Sequence, residues 1–196
     1  MEMIQGAEWV VVAIFLTATL AGLFLVVSAQ GDMNLREETG ENDDDQAATM
    51  LIDLINKTRN SLVIHDDGND SDESVYNNDQ VVAAVRDRIR QRRRLKVKCL
   101  FNDRDKLKLL DLADGECKGN ISIWYASGDR PKNEIHYKIV DGGRLVHLSA
   151  HEHGASERGY VLRRAEPWWA ARTRRRISRP YLDHFEHSLL GAEQRA

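Results

Sequence analysis

Hydrophobic positions fall into one long unbroken run followed by a series of short periodic ones. Trp9 to Ala29 (WVVVAIFLTATLAGLFLVVSA) contains no charged residue. As a helix rising about 1.5 Å per residue it is long enough to cross a hydrocarbon core of about 30 Å. This stretch predicts a transmembrane helix. The preceding MEMIQGAE has no Lys or Arg, and the apolar run exceeds a signal-peptide core. An uncleaved anchor is therefore favoured over cleavage after Val27-Ser28-Ala29.

From Gln46 the pattern becomes short and alternating. Met50, Leu51, Leu54 and Ile55 form the stripe of an amphipathic helix ending near Lys57, and Ser61 to His65 reads as a buried strand. Asn77 or Asn78 suits the cap of a helix whose Val81, Val82, Val85 and Ile89 face a sheet. Leu95 to Phe101 predicts a strand, Lys106 to Asp114 a short helix, and Asn120 to Ala126 a further strand. Glu134 to Gly154 predicts two strands joined by Asp141-Gly142-Gly143, because Asp-Gly between β-favouring runs is a strong hairpin signal. Gly159 to Leu162 is one more strand. Glu166-Pro167 opens a helix, Ser178 and Pro180 restart it, and Ile177, Tyr181, Phe185 and Leu189 continue its apolar stripe. Trp168 and Trp169 fit a core or a membrane interface better than a ligand box.

This order predicts an α/β sandwich with a mixed sheet, preceded by one N-terminal transmembrane helix. The expected divisions are a short tail (1–8), the span (9–29), an acidic linker (30–45), the α/β domain (46–191) and a C-terminal tail (192–196).

Composition changes this picture in two ways. Across 196 residues, 42% hydrophobic and 30% charged are ordinary for one globular domain, but the net charge of −3 hides strong segregation. Acidic residues crowd Gly31 to Asp45, expected to be a solvated tether unless it lies along a basic surface, and Asp66 to Ser74, expected to be a solvated loop. Arginines cluster at Arg86 to Arg94 and at Arg172 to Arg179. Of these, Arg90, Arg92, Arg93, Arg94, Arg174, Arg175 and Arg176 are candidates for binding an anionic surface, whether lipid or nucleic acid.

Two cysteines, Cys99 and Cys117, define no disulfide framework and are expected to be reduced and buried. The Asp66 to Ser74 carboxylates lack EF-hand spacing, and His147, His151 and His153 follow no fixed ligand pattern. No metal or cofactor is expected. Arg36 is the cation nearest the apolar run and lies on its C-terminal side. That charge and the unpaired thiols lean toward a cytoplasmic domain, and the expected location is a bacterial inner membrane, as a single-pass protein.

The predicted hairpin carries the chemistry. Period-two alternation puts Glu134, His136 and Lys138 on one face of its first strand, and His147, Ser149 and His151 on one face of its second. His136-Tyr137-Lys138, the following Asp141-Gly142, and Leu148-Ser149-Ala150-His151 resemble the motif of phospholipase D-like proteins. That motif is His-x-Lys, four residues, Asp, then Gly-Ser-x-Asn. Asp141 comes two residues early when His136 and Lys138 are aligned; aligning Asp141 instead puts Glu134 and His136 at the His and Lys positions. Leu148 stands where the family has glycine, and His151 where it has asparagine.

The resemblance implies the fold of one phospholipase D-like half. It also implies a phosphodiesterase chemistry in which one histidine attacks phosphorus, a second protonates the leaving group and lysines hold phosphate oxygens. His136, Lys138, Asp141, Ser149 and His151 are then the candidate catalytic residues. Two motif copies are required and this chain has one, so an active form is a symmetric homodimer. The departures favour a degenerate active site in a membrane-anchored, noncatalytic accessory or assembly subunit of a membrane complex. A homodimeric phosphodiesterase is the first alternative, and an anionic-lipid or nucleic-acid binding module the second.

Overall fold

Strand composition decides which strands are central. A strand buried on both faces must be apolar throughout, whereas an edge strand tolerates charge. The computed structural model describes residues 35–40, 44–66, 75–101, 107–126, 136–150, 159–165 and 171–194, with Thr17 and Thr19. In chain order the elements are β1 (Leu35–Gly40), α1 (Asp44–Lys57), β2 (Ser61–Asp66), a 3-10 turn (Val75–Asn77), α2 (Asp79–Gln91), β3 (Lys96–Phe101), α3 (Lys108–Asp114), β4 (Ile121–Tyr125), β5 (His136–Val140), β6 (Leu145–Ala150), β7 (Gly159–Ala165), α4 (Ala171–Leu189) and β8 (Glu193–Gln194).

The strands form one eight-stranded sheet in the order β1-β7-β6-β5-β2-β3-β4-β8. β2, β3 and β4 are mutually parallel and all other neighbours are antiparallel. The mixed sheet expected from the alternation of elements is therefore present.

Each face of the sheet is covered differently. Leu51, Leu54 and Ile55 of α1, Val81, Val85 and Ile89 of α2, and Leu109 and Leu112 of α3 pack on Leu62, Ile64, Val97 and Cys99. On the other face Ile177 and Phe185 of α4 meet Val63, Leu100, Tyr137, Ile139 and Val146. Fully burying one such side chain stabilises by roughly 1.5–3 kcal/mol. Of the two cap candidates, Asn78 caps α2 by accepting from the Gln80 N–H at 2.9 Å, while Asn77 accepts from the Lys108 N–H at 2.9 Å.

Four expectations change. Part of the expected acidic tether is a strand: β1 pairs along β7 from Leu35↔Ala165 to Gly40↔Tyr160. Its Glu37 bonds Arg163 at 2.8 Å and Glu38 lies 3.7 Å from Arg164, so its charge is answered across the strand pair. The strand after α1 runs one residue further than predicted, to Asp66. No restart occurs at Ser178 or Pro180, since α4 is continuous through both. Glu193 and Gln194, assigned to a tail, extend the far edge of the sheet as β8. The predicted span 9–29 lies outside the described residues except for Thr17 and Thr19, as do Glu166, Pro167, Trp168 and Trp169; among the described residues no helix is long and apolar enough to cross a membrane.

Candidate functional site

β2 and β5 run antiparallel with Ile64 opposite Lys138 and His65 opposite Tyr137. Alternation then puts Asp66, His136 and Lys138 on one face, at the C-terminal ends of the parallel strands, where α/β sheets commonly place ligands. The Asp66 carboxylate accepts from Lys138 Nζ at 2.9 Å and lies 3.3 Å from His136 Nδ1. Tyr76, held edge-on against Phe101, donates its hydroxyl to the same carboxylate at 2.6 Å. The cluster is closed to water: His136 is 0% exposed, Lys138 5% and Asp66 7%.

β6 completes this face. Ser149 stands opposite His136 and His147 opposite Lys138, and directly opposed residues share a face. The His147 ring stacks on Tyr160 with centroids 5.5 Å apart. Both Ser149 and His147 are buried.

Burial alone would raise the Asp66 carboxyl. The charges of Lys138 and His136, with hydrogen bonds from Tyr76 and Lys138, outweigh it and hold the group well below the ordinary carboxylate range. Cys99 on the same face responds oppositely: burial first, and the Asp66 charge second, push its thiol far up. Cys117 is raised as well, chiefly by burial, so neither cysteine is a ready nucleophile.

Of the five candidate catalytic residues, the structure gathers His136, Lys138 and Ser149. Asp141 lies at the opposite end of β5, in the hairpin turn, with φ 50°. Its carboxylate accepts from the backbone N–H groups of Arg59 (3.0 Å), Asn60 (2.7 Å) and Ser61 (3.2 Å), tying the hairpin to the start of β2. His151 lies outside the described residues. Two partners went unrecognised in the sequence, Asp66 and Tyr76. Extending the Leu62-Ile64 parity by one step would have found Asp66.

The arginine candidates collect at the Asp141 end. Arg90 is engaged with Glu116 at 2.8 Å, and Arg86 bonds the same carboxylate. Arg92, Arg93 and Arg94 stand exposed between α2 and β3. Arg174, Arg175 and Arg176 lie on the first half of α4, which meets the hairpin turn where Ser178 Oγ donates to the Gly142 carbonyl at 3.1 Å. Gly143 has φ 105°, and a Cβ there would lie 2.5 Å from that of Ser178, so only glycine allows the approach. Arg88 donates to the Thr58 carbonyl at 2.7 Å; burial, with Arg92, Arg59 and Arg144 nearby, lowers its guanidinium from the ordinary value. Among the described residues no group of three His, Cys, Asp or Glu side chains is arranged to hold a metal.

Comparison with solved structures agrees with this layout. The chain is similar to Nuc from Salmonella typhimurium, a phospholipase D family member, with TM-score 0.53 and 13% identity over 82% of this chain and 98% of that one. NucT from Helicobacter pylori matches with TM-score 0.53 and 13% identity, over 81% and 98%. TrmBL2, an archaeal chromatin protein, matches with TM-score 0.54 and 14% identity, over 97% and 67%. No family model and no curated protein sequence matches the chain. At this identity the likeness establishes the fold, and the fold is phospholipase D-like.

Proposed function

We propose that the chain is a noncatalytic phospholipase D-like domain, tethered to a membrane and serving as an accessory or assembly subunit of a membrane complex. One observation carries the noncatalytic part: Asp66 pairs with Lys138 Nζ, with His136 Nδ1 3.3 Å away, inside a closed cluster. A phosphate-binding lysine must offer its charge to substrate, and here that charge is already answered by a buried carboxylate. The uncharged Trp9 to Ala29 run supports the tether. The test is hydrolysis of bis(p-nitrophenyl) phosphate by the purified full-length chain, with and without His136→Ala. Equal background rates are expected; turnover abolished by His136→Ala in a folded protein would falsify the reading. Purification in mild detergent, with the stoichiometry of co-purifying proteins, tests the subunit role, and a protein recovered alone counts against it.

A homodimeric phosphodiesterase is the second reading. The same Asp66 contact to Nδ1 is the arrangement that would orient an imidazole to attack through Nε2, and two of the similar structures are Nuc and NucT. This reading requires a dimer whose activity depends on both His136 and Lys138.

A further inference from the structure

The register places the start of the domain and both arginine clusters at one end of the sheet. Leu35 pairs with Ala165, Leu145 with Arg164 and with Val140, and Val140 with Leu62. Leu35 therefore joins the sheet beside the Asp141–Arg144 turn and the start of β2. Arg92 to Arg94 lead into β3, which starts alongside β2, the Lys96 N–H donating to the Asn60 carbonyl at 3.0 Å. Arg172 and Arg175 sit on the half of α4 that meets the turn.

Three carboxylates at this end are already engaged: Asp141 by three backbone N–H groups and Arg144, Glu116 by Arg86 and Arg90, and Asp53 by Lys57. Among the described residues, Arg92, Arg93, Arg94, Arg172 and Arg175 are exposed and in no ion pair. The last residue of the apolar run, Ala29, is six steps before Leu35, a reach of at most about 20 Å. A bilayer holding that run therefore lies within about 20 Å of Leu35, which is at the end of the sheet opposite His136.

We propose that this arginine-bearing end is the face the domain turns to an anionic lipid surface, with Arg92, Arg93, Arg94, Arg172 and Arg175 set among headgroup phosphates. The proposal rests on the tether reading above and is independent of whether the domain is catalytic. Lipid is favoured over nucleic acid because the tether delivers this end to headgroups at high local concentration.

The experiment uses the full-length chain reconstituted into vesicles containing a headgroup spin-labelled lipid. A fluorophore is attached through Asn60→Cys at the basic end or through Asp79→Cys at the start of α2, at the far end. Cys99 and Cys117 are buried and stay unlabelled. With phosphatidylglycerol present, quenching at Asn60→Cys should exceed that at Asp79→Cys by at least about threefold. That difference should vanish in pure phosphatidylcholine, in about 0.5 M salt, and when R92E, R93E and R94E are combined. Equal quenching at the two positions, quenching insensitive to salt, or stronger quenching at Asp79→Cys overturns the proposal. Duplex DNA binding that protects the same end with no dependence on anionic lipid also overturns it, in favour of nucleic acid. Alkaline extraction of the same vesicles separates the premises. A chain that extracts but shows the difference loses the anchor and keeps the docking face; a retained chain without the difference loses the docking face alone.

Discussion

Asp66, His136 and Lys138 lie at one end of the strands almost wholly out of water, whereas Arg92, Arg93 and Arg94 at the other end stand in it. Removing an ion from water costs several kcal/mol even after relaxation, so a buried charge must be answered within the chain. An exposed arginine keeps its hydration and needs no internal partner. Similarity to a catalytic motif therefore says little about availability for catalysis, since burial and the neighbouring carboxylate decide what Lys138 can still bind. The opposite holds for the arginines, which are available although nothing in their sequence is specific.

The contrast can be broken most forcefully at Asp66. Asp66→Asn removes the carboxylate that pairs with buried Lys138 and should cost about 3 kcal/mol in urea unfolding. Combining it with Lys138→Met should recover more than half, because an apolar side chain removes the buried charge that Asp66 answers. No loss in the single variant would mean that the ion pair does not close this end. The sign with pH follows from the depressed Asp66 carboxyl. Its contribution is complete above the unfolded value of about 3.9 and is lost as pH falls through the lower folded value. The Asp66 part of the gap between wild type and Asp66→Asn should close only in acid below the ordinary carboxylate range.

Gly143→Ala comes next, at about 2–3 kcal/mol, since φ 105° and the 2.5 Å approach to Ser178 both oppose a Cβ. Gly142→Ala, at φ 64° with open space around it, should cost less, about 1 kcal/mol. Equal costs would show that the turn does not press on α4. Asp141→Ala should lose about 1–2 kcal/mol by stranding the N–H groups at the start of β2, measured by the same unfolding curve. Combining R92E, R93E and R94E should leave the thermal midpoint unmoved, because these side chains make no ion pair among the described residues; a clear drop would mean that the basic end is also structural.

These partners explain what was legible in the sequence. β2, β3 and the β5–β6 hairpin announce themselves through local apolar runs and an Asp-Gly turn, and their faces follow from parity alone. β1 does not, because LREETG is polar and becomes a strand only through Arg163 and Arg164, far along the chain. Asp66 was hidden for a similar reason. It opens the acidic string DDGNDSDES, where one more carboxylate looks solvated, and only the sheet brings Lys138 and Tyr76 to it. Asp141 could be placed in the turn, but its role as acceptor for Arg59, Asn60 and Ser61 depends on a contact between distant segments.

The pairing of β1 with β7 also has a mechanical side. A load applied at Leu35 along the axis of β1 acts toward the end where the strand begins. Such a load shears the six registered pairs from Leu35↔Ala165 to Gly40↔Tyr160 together instead of peeling them one at a time. Strain arriving at Leu35 is thus shared across a whole ladder before it reaches the core, making this edge strand a load-spreading joint at the start of the sheet.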